Sequence, residues 1–209
     1  MCSVIGNEAM RFQFLLDDNR LTKREKEQYK QLVCVDTSGT ESFRMPDSVL
    51  MGSLKVLSML LEKHYGQKVI VLIDEYDVPL AKANEQHYYD KMVLLIRNMF
   101  EQVLKTNDSL YFAVLTGYLR VSKESIFTGL NNPTIFSITD EDCDSCFGFT
   151  DEEVRNMLSY YDLSDKYDTI KEWYDGYRFG DADVYCPWDV VNYVSQKPRS
   201  KLRGIKLAA

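Results

Sequence analysis

The sequence predicts an α/β fold, with a parallel sheet flanked by helices and a small helical subdomain after it. Three observations carry this. Residues 69–73 (VIVLI) and 110–116 (LYFAVLT) are short apolar runs that do not alternate with polar residues. The connection between them is long enough for a helix and has helical periodicity, which suits a strand–helix–strand crossover. Beyond residue 140 the apolar spacing becomes mainly helical, opened by a second capping sequence.

Thr22 and Glu25 have capping-box spacing, and Tyr29, Leu32 and Val33 follow on one face, so a helix is expected over 22–33. The polar stretch VDTSGTESFRMPD, with Gly39 and Pro46, reads as a loop. Leu50, Leu54, Leu57 and Leu61 advance by four, three and four, which predicts a helix from Ser48 that Gly66 closes. Because residues 69–73 are apolar throughout and mostly β-branched, they are expected as a strand buried on both faces. Pro79 is expected to stop regular structure.

Tyr89, Met92, Val93, Ile96, Met99, Phe100 and Val103 form a stripe that predicts one helix over about 84–105. Gly117 ends the second strand, and Ile135–Ile138 is a weaker third strand candidate. Thr150 and Glu153 repeat the capping-box spacing ahead of Val154, Met157, Leu158 and Tyr161. A helix near 165–175, the aromatic turn WYDGYRFG and a last helix from Pro187 complete the pattern. The basic tail KPRSKLRGIKLAA has no periodicity and is expected to be loosely ordered.

A net charge of −7 argues against non-specific nucleic-acid binding, which needs clustered Lys and Arg. No apolar run approaches the roughly 20 residues of a membrane helix. The N-terminal residues lack the basic and apolar regions of a signal peptide, so a cytoplasmic protein is expected. Five scattered cysteines then read as reduced thiols. Cys143-x-x-Cys146 has no second pair, and the carboxylates around it disfavour a reactive thiolate.

The apolar run 69–73 leads straight into Asp74, Glu75 and Asp77. In an open parallel sheet, ligands bind outside the carboxyl ends of the strands. Asp74 there suits Mg²⁺, held directly or through water. Glu75, pointing elsewhere by strand alternation, suits a group that orients or deprotonates a water attacking a γ-phosphate. An apolar run ending in Asp-Glu is the Walker B pattern. Asp77 reads either as a second metal-side carboxylate or, in preference, as a cap for the turn before Pro79. A metal-dependent nuclease using all three carboxylates is a third reading, although no Lys stands in the D…(D/E)-x-K arrangement.

The segments KVIVLIDEYDVPLAKA, FAVLTGYLRVSKESIFTGLNN, FGFTDEEV, WYDGYRFG and VYCPWDVVNYV, in this order, resemble the predicted AAA-ATPase-like family over roughly residues 10–195. Bacterial members of that family often carry a nuclease-like domain after the ATPase part. The resemblance implies a partial P-loop NTPase (AAA-like) core over 1–140 and a helical subdomain over 141–195, and the basic composition of 196–209 adds a disordered tail. It implies ATP and Mg²⁺ as cofactors, with Asp74 serving the metal and Glu75 the attacking water. It places Thr116 where such ATPases sense the γ-phosphate, and puts Arg120 and Lys123 within reach of phosphate or a neighbouring subunit. Nucleic acid enters as a partner only by analogy with the family. Cys186 stands where the family usually has Asn before Pro-Trp, a weaker helix cap.

No G-x-x-x-x-G-K-[ST] phosphate-cradling loop occurs in the 209 residues. Against the family, the chain therefore looks like a fragment without the Walker A segment and the nuclease part. It is expected not to hydrolyse ATP alone, with a non-catalytic partner-binding module or a decayed copy as the alternative. Strand 110–116 would be left with an unpaired edge, so self-association, or a protein partner completing the sheet, is expected.

Overall fold

Local signals set the first elements of the computed structural model, which describes residues 1–36, 42–118, 126–127, 130 and 133–195. Helix α1 (Cys2–Met10) leads through a 3₁₀ turn to α2 (Lys23–Leu32). Both halves of the expected capping box are present at α2: Glu25 N–H donates to Thr22 Oγ1, and Thr22 N–H donates to Glu25 Oε2 at 2.7 Å. Buried Ala9, Leu15, Leu21, Tyr29 and Leu32 pack with Leu57 and Leu60, and the Tyr29 hydroxyl donates to the Ala9 carbonyl at 2.6 Å.

The expected loop after α2 instead contains two-residue strands, β1 (Val35–Asp36) and β2 (Ser42–Phe43), paired antiparallel. Helix α3 (Asp47–Tyr65) follows and ends at Gly66 in the left-handed conformation, as the spacing predicts. It is the central helix of this unit, contacting α1, α2 and β3 (Val69–Ile73).

Pro79 does not stop regular structure. It lies in the first turn of α4 (Val78–Glu85), where a missing N–H costs no helical hydrogen bond. The single helix expected over 84–105 is two: α4, and α5 (Tyr89–Phe100), which runs on into a π-helical turn over Glu101–Lys105. His87, with φ 62°, lies in the break between them. The predicted apolar stripe survives, with Val93, Ile96, Met99, Phe100 and Val103 all buried.

Strand β4 (Leu110–Leu115) pairs parallel with β3, which is the expected crossover. The register sets Ile70 against Phe112, Leu72 against Val114 and Ile73 against Leu115. One face of this pair is covered, Ile73 and Leu115 packing onto a cluster of Leu80, Val93, Ile96, Phe100 and Ile126. The expectation that residues 69–73 are buried on both faces is wrong. Ile70 and Leu72 are 55% and 73% exposed, and Phe112 and Val114 lie beside them on the same face. Among the described residues the helices of this unit leave that face uncovered, so an apolar run that reads as doubly buried forms a one-sided sheet. Among the described residues β4 pairs with β3 alone.

Residues Met1–Pro133 form one contact unit and Thr134–Ala209 a second. In the second, residues 135–138 form no strand. Its sheet has three antiparallel strands: β5 (Phe149–Thr150), which precedes α6 (Asp151–Tyr160) and α7 (Tyr167–Tyr174), then β6 (Asp175–Phe179) and β7 (Ala182–Tyr185), in the order β5-β7-β6. The expected helical subdomain is therefore mixed, and most of WYDGYRFG is strand. Gly180, with φ 52°, supplies the turn between β6 and β7. Thr150 and Glu153 form the second expected capping box, and α8 (Pro187–Ser195) starts at Pro187 as read. Val154, Leu158, Ile170, Tyr185 and Val190 form this unit's core, whereas Tyr161 is 54% exposed. The expected disordered tail lies outside the described residues.

Candidate functional site

Two parallel strands in register bring their carboxyl ends to one edge. Strand β3 stops at Ile73 and β4 at Leu115, and these residues are partners. Pairing continues one step further, since Thr116 N–H donates to the Ile73 carbonyl at 2.9 Å and Tyr76 N–H donates to the Thr116 carbonyl at 3.1 Å. Asp74 and Thr116 consequently face each other just beyond the sheet.

The Thr116 hydroxyl donates to Asp74 Oδ1 and accepts a longer bond, 3.4 Å, from Glu75 N–H. One side-chain oxygen thus bridges the carboxylate at position 74 and the backbone at position 75. Asp74 and Glu75 are both exposed. Glu75 has φ 51°, in the left-handed region that costs a non-glycine residue roughly 1–2 kcal/mol. This corrects the alternation argument: both acids lie past the last strand residue, and the left-handed turn, not the pleat, sets the direction of Glu75. Backbone strain of this kind concentrates at functional sites.

Asp77 occupies the N-cap position of α4, as preferred in the sequence reading, but its side chain makes no capping hydrogen bond there. Its carbonyl instead accepts from Leu80 N–H at 2.9 Å and Ala81 N–H at 3.1 Å. Unlike its acidic neighbours, it is buried, at 2% exposure. Gly117 makes room for this arrangement. A Cβ at that position would lie 2.7 Å from the Tyr76 ring and 2.9 Å from Asp77 Oδ1. The Tyr76 ring meets Phe127 edge-on at 5.3 Å and Phe100 at 6.4 Å, which anchors the turn to the core. Sequence reasoning treated Gly117 only as a strand end and gave Tyr76 no part. No local signal marks either, because their contact joins residues 41 positions apart.

An exposed carboxylate with a hydroxyl beside it fits Mg²⁺, which takes one or two carboxylates and completes its octahedron with water and substrate phosphate oxygens. It does not suit an ion held by protein ligands alone. Among the described residues no group of three His, Cys, Asp or Glu side chains is placed to hold a metal. Arg120 and Lys123, the expected phosphate contacts, and the turn candidates Asn131 and Asn132 lie outside the described residues.

A second cluster, also unread in the sequence, lies at the end of α3. Buried Asp18 accepts from Arg20 Nε at 2.9 Å, and its Oδ2 lies 2.6 Å from His64 Nδ1. The Arg20 guanidinium, then His64, hold the Asp18 carboxyl well below the usual range against the opposing effect of burial. Arg20 also donates to the His64 carbonyl, so the cluster fastens the end of α3 shortly before β3 begins. No helix of the described residues is long and apolar enough to cross a membrane.

Comparison with known proteins adds two findings. The family model AAA-ATPase_like, described as predicted AAA-ATPase, matches residues 10–127. An uncharacterized protein in the vnfD 5′ region of Azotobacter chroococcum mcd 1 is 31% identical over 127 residues, 60% of this chain. The match spans 24% of that relative's length. No solved structure matches the chain.

Proposed function

The chain belongs to the AAA-ATPase-like family of predicted AAA-ATPases, and from that premise we propose that the ends of β3 and β4 form the magnesium-and-water half of an ATP site. The observation that carries this is the Thr116–Asp74 hydrogen bond at the carboxyl ends of two parallel strands, where ligands of such sheets bind. Asp74 would hold Mg²⁺ through the oxygen that Thr116 leaves open. The bound ion would neutralise charge on the transferring phosphoryl group. Glu75, free of the strand and exposed, is suited to orient the attacking water and accept its proton. Thr116 orients Asp74 and would report the state of a γ-phosphate. Arg120 is the proposed cation on the phosphate side.

The 209 residues contain no phosphate-cradling loop, and concentrated carboxylates repel a triphosphate unless cations compensate. The polypeptide by itself is therefore expected to bind Mg²⁺–ATP weakly and to turn it over at no useful rate. Calorimetry with Mg²⁺–ATP tests the site: heat of binding that disappears in Asp74→Ala supports it, and silence at millimolar nucleotide overturns it. Phosphate release by the unmodified chain that Glu75→Gln abolishes would show turnover that this reading does not expect.

The uncovered apolar face of β3 and β4 favours a second reading, a non-catalytic module whose sheet is completed by a second copy or another protein. Absence of nucleotide binding together with self-association would select it.

A further inference from the structure

Cys143 and Cys146 are the first and fourth residues of a hydrogen-bonded turn, with Cys146 N–H donating to the Cys143 carbonyl at 3.0 Å. A turn of this kind keeps its end Cα atoms within about 7 Å. A disulfide needs Cα atoms roughly 4.4–6.8 Å apart. Both side chains are exposed, and the two thiols lie against each other. Cys143 has φ 64°, a backbone conformation that few residues other than glycine adopt, and it is held there within the turn.

The surroundings of the pair are ordered. Asp144, between the two cysteines, accepts the Asp181 N–H through Oδ2 at 3.2 Å. Gly180 N–H donates to the Ile138 carbonyl at 2.8 Å. The segment around the cysteines is thereby tied at two points to the tip of the β6–β7 hairpin.

We propose that Cys143 and Cys146 form a reversible oxidation site, closed to an intramolecular disulfide by a small-molecule disulfide or a peroxide, which locks the 143–146 turn whose Asp144 accepts from the hairpin tip. With glutathione disulfide as oxidant, one cysteine loses its proton to solvent and its thiolate attacks a glutathione sulfur, expelling one glutathione thiolate. The second cysteine thiolate then attacks the protein sulfur of the mixed disulfide and expels the other. Two protein thiols are oxidised, and one disulfide is reduced to two thiols.

Electrostatics give the site a definite character. The Cys143 thiol is pushed up, first by the Cys146 thiol beside it, then by burial and by Asp142 and Asp144. Few thiolates at neutral pH make closure slow. Oxidising dithiols owe their potential to a stabilised reduced form, whereas Asp142 and Asp144 here disfavour the thiolate. The disulfide, once closed, is accordingly expected to resist glutathione. This describes a slow, persistent staple and differs from a fast exchange catalyst.

The experiment treats the full chain with glutathione disulfide, blocks the remaining thiols by alkylation and maps the tryptic peptides. Residues 124–155 form one tryptic peptide that contains both cysteines and no other. Exposed Cys34 is the internal control for a thiol without a partner. The expected result is a 124–155 peptide lighter by two hydrogens and unalkylated, with Cys34 carrying glutathione. In Cys143→Ser, Cys146 should instead retain glutathione. Asp142→Asn should speed closure severalfold, and closure should quicken about tenfold per pH unit below the thiol pKa. The proposal is overturned if both cysteines stay alkylatable after Cys34 has reacted, or if each takes up its own glutathione. A rate that Asp142→Asn leaves unchanged would overturn its electrostatic part.

Discussion

The Thr116 hydroxyl donates to the Asp74 carboxylate across the ends of two parallel strands, between residues 42 apart in sequence. Thr116 is thus a positioning residue for the carboxylate proposed to face Mg²⁺. Replacing it by valine keeps the shape and removes the donor. Thr116→Val is expected to weaken Mg²⁺–ATP binding by about 1 kcal/mol, roughly fivefold in Kd, as befits a partly exposed hydrogen bond to a charged group. Thr116→Ser should restore it. Calorimetric titration of the three proteins measures the difference, and equal affinities would remove Thr116 from the site.

Glu75 separates stability from function. Its φ of 51° favours glycine, so Glu75→Gly relieves strain while removing the carboxylate. Chemical denaturation should show Glu75→Gly as stable as the unmodified chain or more so, by up to about 1 kcal/mol. Glu75→Gln keeps the strain and should leave stability nearly unchanged. A clear loss of stability in Glu75→Gly would mean that the side chain holds the turn together, in conflict with a role reserved for chemistry.

In the second unit, Asp151 accepts hydrogen bonds from the hydroxyls of Tyr167 and Tyr185 and from Arg155 Nε, the last at 2.6 Å. The Arg155 guanidinium lies 3.5 Å from the Tyr167 ring centroid. These bonds, that of Tyr167 foremost, lower the Asp151 pKa to about 2. In the unfolded chain an aspartate titrates near 3.9. The folded carboxyl therefore binds its proton less readily than the unfolded one. Its contribution to stability is complete above about pH 4 and is lost as pH falls towards 2. Asp151→Asn should lower the unfolding midpoint at neutral pH and flatten its decline between pH 4 and 2. Thermal melts across that range, read by tyrosine absorbance, would show the two proteins converging at the acid end; parallel curves would refute the assignment.

The face carrying Ile70, Leu72, Phe112 and Val114 is apolar and exposed on a two-stranded sheet. Such faces and edges promote association. The chain is expected to show a mass by light scattering that rises with concentration, and Leu72→Ser with Phe112→Ser to reduce that rise. A monodisperse monomer at every concentration would show that this face does not drive association.

Much of the fold was legible because its signals are local. Thr22 with Glu25 and Thr150 with Glu153 fix two helix starts through bonds spanning three residues, and the α5 stripe needs only a period of 3.6. Pro79 was misread because proline in a first turn is as acceptable as proline after a last one. The strand in WYDGYRFG was hidden because it forms only through pairing with residues 182–185.

By itself, the sequence determined helices α2, α3, α5, α6, α7 and α8, the parallel crossover from β3 to β4 and the acidic turn that follows β3. Periodicity and side-chain chemistry act over a few residues, and those are present in any linear reading. Only the tertiary structure decided that Thr116 meets Asp74, that Gly117 admits Tyr76 and Asp77, that Glu75 is left-handed and that one sheet face lies open. Each of these depends on which distant segment packs where, and burial depends on the whole arrangement of helices, so an apolar strand alone cannot announce whether one of its faces or both will be covered.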